Sequence, residues 1–139
     1  MIPIARQIIF FRRPGERRIG SALDREWRGT GSEDELWAQV ETWDETGYLP
    51  PRWRHAEPGT GFDGMGPPGT TVRLYYAEHA GQIVLLHAKS GKAGKGKLPD
   101  RTKRLVQQRL RQWREWFPNG ADIDDRGRLV ARSRKASEQ

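Results

Sequence analysis

VRLYYAEHAGQIVLLHAKSGKAGKGKLPDRTKRLVQQRLRQW, residues 72–113, decides the fold, because its hydrophobic period changes from two to helical midway. In the first half Val72, Leu74 and Tyr76 fall on one face of an extended chain and Arg73 and Tyr75 on the other. The second run separates Ile83, Leu85 and His87 from Val84, Leu86 and Ala88. Glu78-His79-Ala80-Gly81 lies between the runs with turn chemistry, so the sequence predicts a β-hairpin. Past the lysine-rich loop, Pro99 suits a first helical position and Asp100 the positive end of a helix dipole. Val106, Leu110, Trp113 and then Phe117 recur at steps of four, three and four, with Leu105 and Trp116 widening the stripe until Pro118-Asn119-Gly120. The other face carries Arg101, Lys103, Arg104, Arg109, Arg111 and Arg114. Such a helix packs on a sheet and shows guanidinium groups to solvent.

Upstream, the β-formers of residues 4–11 stop at Arg12-Arg13-Pro14-Gly15, which predicts a first strand and a break. Residues 21–28 allow a helical turn, interrupted by Gly29 and Gly31. Ser32 and Glu35 have capping-box spacing, and Leu36, Trp37, Val40 and Trp43 predict a helix over 33–46 that ends at Gly47. Residues 50–69 read as loop, with Trp53 on a short strand and five glycines in the last eleven positions. No Gly-Lys-Ser/Thr follows those glycines, which excludes a P-loop. Downstream, GRLVARS allows one added strand, and the last seven residues read as a disordered tail. The order predicts an α+β domain over 1–120: a small antiparallel sheet, an N-terminal helix or helical hairpin, and a C-terminal basic helix, with the helices on one face. Residues 121–139 read as a partly disordered extension.

Composition narrows the function classes. The absence of cysteine excludes disulfides and thiolate metal sites and leads us to expect a reducing, cytoplasmic compartment. No apolar run approaches the length of a membrane span, and the first residues lack a signal peptide's basic start. The net charge of +7 is concentrated: residues 89–114 carry ten Lys or Arg against one Asp, whereas residues 24–46 hold eight acids. A basic patch of this kind gathers polyanions, although a charge run can equally be a solvated face. His55, His79 and His87 have no metal-ligand spacing, and DIDDRG (122–127) lacks a calcium-loop pattern.

Residues 72–113 have a further property: an Arg-bearing strand, a strand ending Leu-Leu-His, a Lys-rich loop, then Pro and a basic helix. This order resembles the bacterial RelE/ParE toxin superfamily, in particular its HigB-like and phage Gp49-like branch. The resemblance implies a RelE-like fold and a toxin of a type II toxin–antitoxin pair. It implies a ribosome-dependent messenger-RNA endoribonuclease, with mRNA on the ribosome and a helix-turn-helix antitoxin as partners, and no membrane. In such enzymes the 2′-OH attacks the adjacent phosphate without a metal or cofactor. The chemistry needs a proton acceptor, cations around the pentacovalent phosphate and an acid for the leaving oxygen. Carried over by position, Arg73, Lys89, Lys92 and Lys95 match the family's strand arginine and loop lysines, and His87 is an acid–base candidate. Tyr75, Lys97, Arg101, Lys103 and Arg104 are candidate RNA contacts, Tyr75 by stacking on a base. Two other readings stay open: a gyrase inhibitor of ParE type, and a non-catalytic nucleic-acid-binding or phage accessory protein.

Overall fold

The computed structural model describes residues 7–91 and 98–133. The predicted hairpin forms from β4 (Val72–His79) and β5 (Gln82–Ser90). Its connection is the pair Ala80-Gly81, both with positive φ (51° and 76°), the backbone that a two-residue hairpin turn requires. Around it stand β1 (Ile8–Phe10), β2 (Arg54–His55) and β3 (Asp63–Met65), in the spatial order β1-β5-β4-β3-β2. The expectation of a simply antiparallel sheet is corrected here. β1 runs parallel to β5, with Ile8 beside Ile83 and Phe10 beside Leu85, and the other pairs are antiparallel.

The hairpin also departs from strict alternation. Tyr75 pairs with His87 and Tyr76 with Leu85, so Leu86 is an extra residue, a β-bulge. The bulge changes the phase of β5. His87 therefore leaves the Ile83 and Leu85 face, where alternation puts it, and joins Tyr75, Arg73 and Lys89 on the other.

Helices α1 (Ala22–Arg28) and α2 (Glu33–Thr46) form a helical hairpin between β1 and β2. Ser21 caps α1 by accepting from the Asp24 amide, and Asp24 pairs with Arg28 one turn on. Ser32 makes no side-chain cap bond, so the capping-box spacing is not used; α2 starts instead from the Ser32 carbonyl, which accepts from Leu36. Gly47 ends α2 in the left-handed conformation, as its place in the sequence predicts. Three tryptophans carry this hairpin onto the sheet: Trp27 and Trp37 stack on each other and meet Phe10, and Trp43 meets Tyr76 edge-on.

Helix α3 (Asp100–Trp116) buries Val106, Leu110 and Trp113, with Phe117 beyond its end, as the periodicity predicts. It meets the opposite face, with Trp113 against Phe11 and Lys89 bonded to Thr102. The helices thus cover both faces rather than one. Every residue of β5 from Gln82 to Ala88 is buried in consequence. Trp53 lies in a 3-10 turn, Pro51–Trp53, ahead of β2.

Downstream of α3, β6 (Ala121–Ile123) and β7 (Leu129–Ala131) make a second hairpin. It is tied to the body, since the Gln82 amide bonds both the N–H and the carbonyl of Ala121, and Leu129 exchanges backbone bonds with Gly15 and Glu16. Ala121 and Leu129 are fully buried.

Candidate functional site

Two residue pairs organise the α3-side face of the hairpin. Arg73 stands directly opposite Lys89, and Tyr75 directly opposite His87. The first pair is partly exposed, at the end of the hairpin from which the lysine-rich loop departs. Like charges placed directly opposite destabilise a strand pair. Arg73 Nη1 donates to the Thr70 and Val72 carbonyls at 2.8 Å, and Lys89 Nζ donates to Thr102 Oγ1 at 3.1 Å. Among the described residues neither cation has a carboxylate within ion-pair distance.

The second pair forms the floor. Tyr75 is 3% exposed, parallel to the His87 ring at 6.2 Å and edge-on to Phe62. Its hydroxyl is pushed up to about 12, by burial first and then by Glu57, with Arg73 acting against both. His87 Nδ1 donates to Glu26 Oε1 at 2.7 Å, the carboxylate being an acceptor only. Arg109 grips the same carboxylate with both Nη atoms, at 2.8 and 2.7 Å, and donates to the Leu86 carbonyl. Burial raises the Glu26 pKa, but the His87 and Arg109 hydrogen bonds lower it by more, so it stays ionised below the usual glutamate range. The bulge therefore turns His87 into an internal network spanning α1, β5 and α3.

Arg109 overturns part of the sequence expectation. It is 8% exposed, not displayed to solvent, because it faces the buried end of Glu26 and lies over the Phe11 ring. Arg101 and Arg104 are exposed and Lys103 partly so, outside the Arg73–Lys89 row. Lys92, Lys95 and Lys97 lie outside the described residues. The structure brings together Arg73, Tyr75, His87 and Lys89.

It adds two residues that sequence reasoning missed. In the row of Tyr75 and His87, Gly64 of β3 pairs with Tyr75, and His55 of β2 pairs with Gly64. Past the end of β3, a Cβ on Gly66 would stand 2.0 Å from the Val72 carbonyl oxygen and 3.4 Å from Arg73 Nη1. A Cβ on Gly64 would stand 3.2 Å from the His55 carbonyl oxygen and 3.4 Å from the Tyr75 ring, so both glycines let their neighbours approach the backbone closely. His55 Nε2 lies 3.4 Å from the Gly66 carbonyl. Glu57 follows two residues on, before Pro58, with its amide 3.4 Å from Asp63 Oδ1. Burial lowers the His55 pKa and the Arg73 charge lowers it further, with the Gly66 carbonyl opposing. Burial raises that of Glu57, Arg73 opposes and Asp63 adds to the rise. The signal in the sequence is one His-x-Glu-Pro run inside a glycine-rich stretch, too short to stand out from loop.

A separate cleft opens between the β1–α1 connection and α3, lined by Arg12, Arg13, Arg25, Gln108, Gln112 and Trp116 among others. No group of His, Asp and Glu among the described residues is arranged to hold a metal ion, and none of their helices is long and apolar enough to cross a membrane. Comparison with family models, with curated proteins and with solved structures finds no match to this chain.

Proposed function

We propose that this chain is a metal-independent endoribonuclease of the toxin type, cutting messenger RNA on the ribosome by attack of the 2′-OH on the adjacent phosphate. The observation that carries the reading is the Arg73–Lys89 pair: two cations fixed opposite each other, partly exposed and without a carboxylate between them among the described residues. Like charges directly opposite each other destabilise an empty sheet. A phosphate seated between the two side chains removes that cost and receives charge-assisted bonds from both. As the phosphorus becomes five-coordinate its oxygens gain charge, and cations already in place stabilise that state most. The lysine-rich loop leaves β5 one residue after Ser90 and supplies further positive charge along the RNA backbone. A helix-turn-helix antitoxin would be its partner in the cell.

A second reading, an RNA-binding protein that does not cut, draws on a different observation. His87 is already bonded to Glu26, Lys89 to Thr102, and Tyr75 is closed over by Phe62. Mapping messenger-RNA 5′ ends in growing cells separates the readings. New ends on induction of the wild-type chain, absent with Arg73→Ala, support cleavage. RNA bound but uncut supports the second reading, and growth arrest with intact messenger RNA points to gyrase.

A further inference from the structure

We propose that the cleft between the β1–α1 connection and α3 binds a nucleoside phosphate, with the terminal phosphate on Arg12, Arg13 and Arg25 and the base on Trp116 beside Gln108 and Gln112. The cleft holds about 420 Å³, within the range of small-ligand sites. It shares no lining residue with the Arg73–Lys89 row and does not rest on the endoribonuclease reading.

One wall is built around a buried cation. Arg12 is 3% exposed, yet no carboxylate lies within ion-pair distance of it among the described residues. Its partners are two carbonyls: Nε donates to Glu16 at 3.1 Å and Nη1 to Phe10 at 3.4 Å, while Nη2 makes no bond among the described residues. A buried charge is costly unless an opposite charge meets it. Burial first and then the Arg18 charge lower the Arg12 pKa, with Glu16 opposing, and an anion in the cleft works against both. Arg13 and Arg25 are exposed on the same lining, Arg25 braced by its Nη1 bond to the Gly20 carbonyl at 2.7 Å. Arg109 lines the cleft too but is committed to Glu26. Three guanidiniums without a carboxylate partner therefore face one acid, Glu16, a surplus of two positive charges. That surplus matches the dianion of a terminal phosphate rather than the single charge of a phosphate inside an RNA chain. The connection is fixed without a ligand, because Gly15 and Glu16 exchange backbone bonds with Leu129.

The other wall follows from helix spacing. Gln108, Gln112 and Trp116 succeed one another at steps of four, so they share one side of α3. Trp116 is partly exposed and rests on Phe11, the ring centroids 6.0 Å apart. Neither glutamine amide has a protein partner among the described residues. An indole offers a base its stacking surface, and a primary amide offers the base edge both a donor and an acceptor.

The test is isothermal titration calorimetry of the purified full-length chain. The probes are adenosine 5′-monophosphate, adenosine, inorganic phosphate, and a short 2′-O-methyl RNA bearing either a 5′-phosphate or a 5′-OH. Adenosine 5′-monophosphate is expected to bind at least about tenfold tighter than adenosine or phosphate. Trp116→Leu and Arg25→Gln should each weaken it about tenfold, and Arg12→Met, which removes the buried charge, by about 10–100-fold. Thermal midpoints close to wild type show that Trp116→Leu and Arg25→Gln fold, so these two decide the matter if Arg12→Met does not fold. Arg73→Ala should bind the nucleotide as wild type does. Tighter binding of the 5′-phosphorylated RNA than of its 5′-OH form, lost in Arg25→Gln, assigns the ligand to an RNA end. Equal binding of the two RNAs, with the nucleotide still bound, assigns it to a free nucleotide. The proposal falls if the folded chain binds neither the nucleotide nor the RNA 5′-phosphate, or if phosphate alone binds as tightly as the nucleotide. It falls equally if Arg73→Ala removes the binding while Trp116→Leu and Arg25→Gln leave it unchanged. None of these outcomes depends on whether the chain cuts messenger RNA.

Discussion

At the scale of single residues, the Glu26–His87–Arg109 network is the strongest polar feature of the interior. Removing one member leaves its partners buried and unpaired, so Glu26→Gln is expected to cost about 3–5 kcal/mol in a urea titration. The same carboxylate sets a pH dependence. Its folded pKa lies below the unfolded value, so its stabilisation is complete above that unfolded value, about 4.3, and is lost as pH falls through the folded one. Unfolding midpoints should fall from mildly acidic pH downward in wild type and flatten in Glu26→Gln. Gly66 makes a second residue-scale prediction. Gly66→Ala drives a Cβ into the Val72 carbonyl and should destabilise by about 2–3 kcal/mol. Gly64→Ala, whose nearest contact is 3.2 Å, should cost less in the same measurement. None of this was legible beforehand. Arg109 sits among exposed arginines on the helix, and only the distant Glu26 distinguishes it from them.

At the scale of elements, periodicity found what is local. The helix over 33–46, the apolar stripe of α3 and the hairpin strands all follow from spacing within one segment. What failed depends on a partner far along the chain. Nothing within residues 4–11 says that the strand pairs in parallel with β5, and one extra residue at Leu86 moves His87 to the other face without altering composition. Strands β2 and β3 were hidden because their pairing uses Gly64, which reads as loop. Two tests belong here. Ala80 carries the φ of 51° at a strain that Asn tolerates better, so Ala80→Asn should raise stability by about 0.5–1 kcal/mol, read as a higher thermal midpoint. A chain ended after Gly120 removes Ala121 and Leu129 from the core and leaves the Gln82 amide unpaired. Its thermal midpoint should fall well below that of the full chain.

At the scale of the whole molecule, charge is divided between an acidic helical hairpin and a basic run that starts at the end of β5. The fold places the start of that run beside Arg73 through the Arg73–Lys89 pairing. The proposed function predicts an affinity for RNA that is salt-dependent, with log K falling linearly against log salt concentration and a slope that Arg73→Ala reduces by about one counterion's worth. Cleavage is the claim that binding alone does not establish. The most direct measurement is the chemistry of the ends made when the purified chain meets ribosome-bound messenger RNA. The account predicts fragments ending in 2′,3′-cyclic phosphate and starting with 5′-OH, abolished by Arg73→Ala. Messenger RNA that stays full length with the folded wild-type chain bound, or fragments bearing 5′-phosphate, would contradict it.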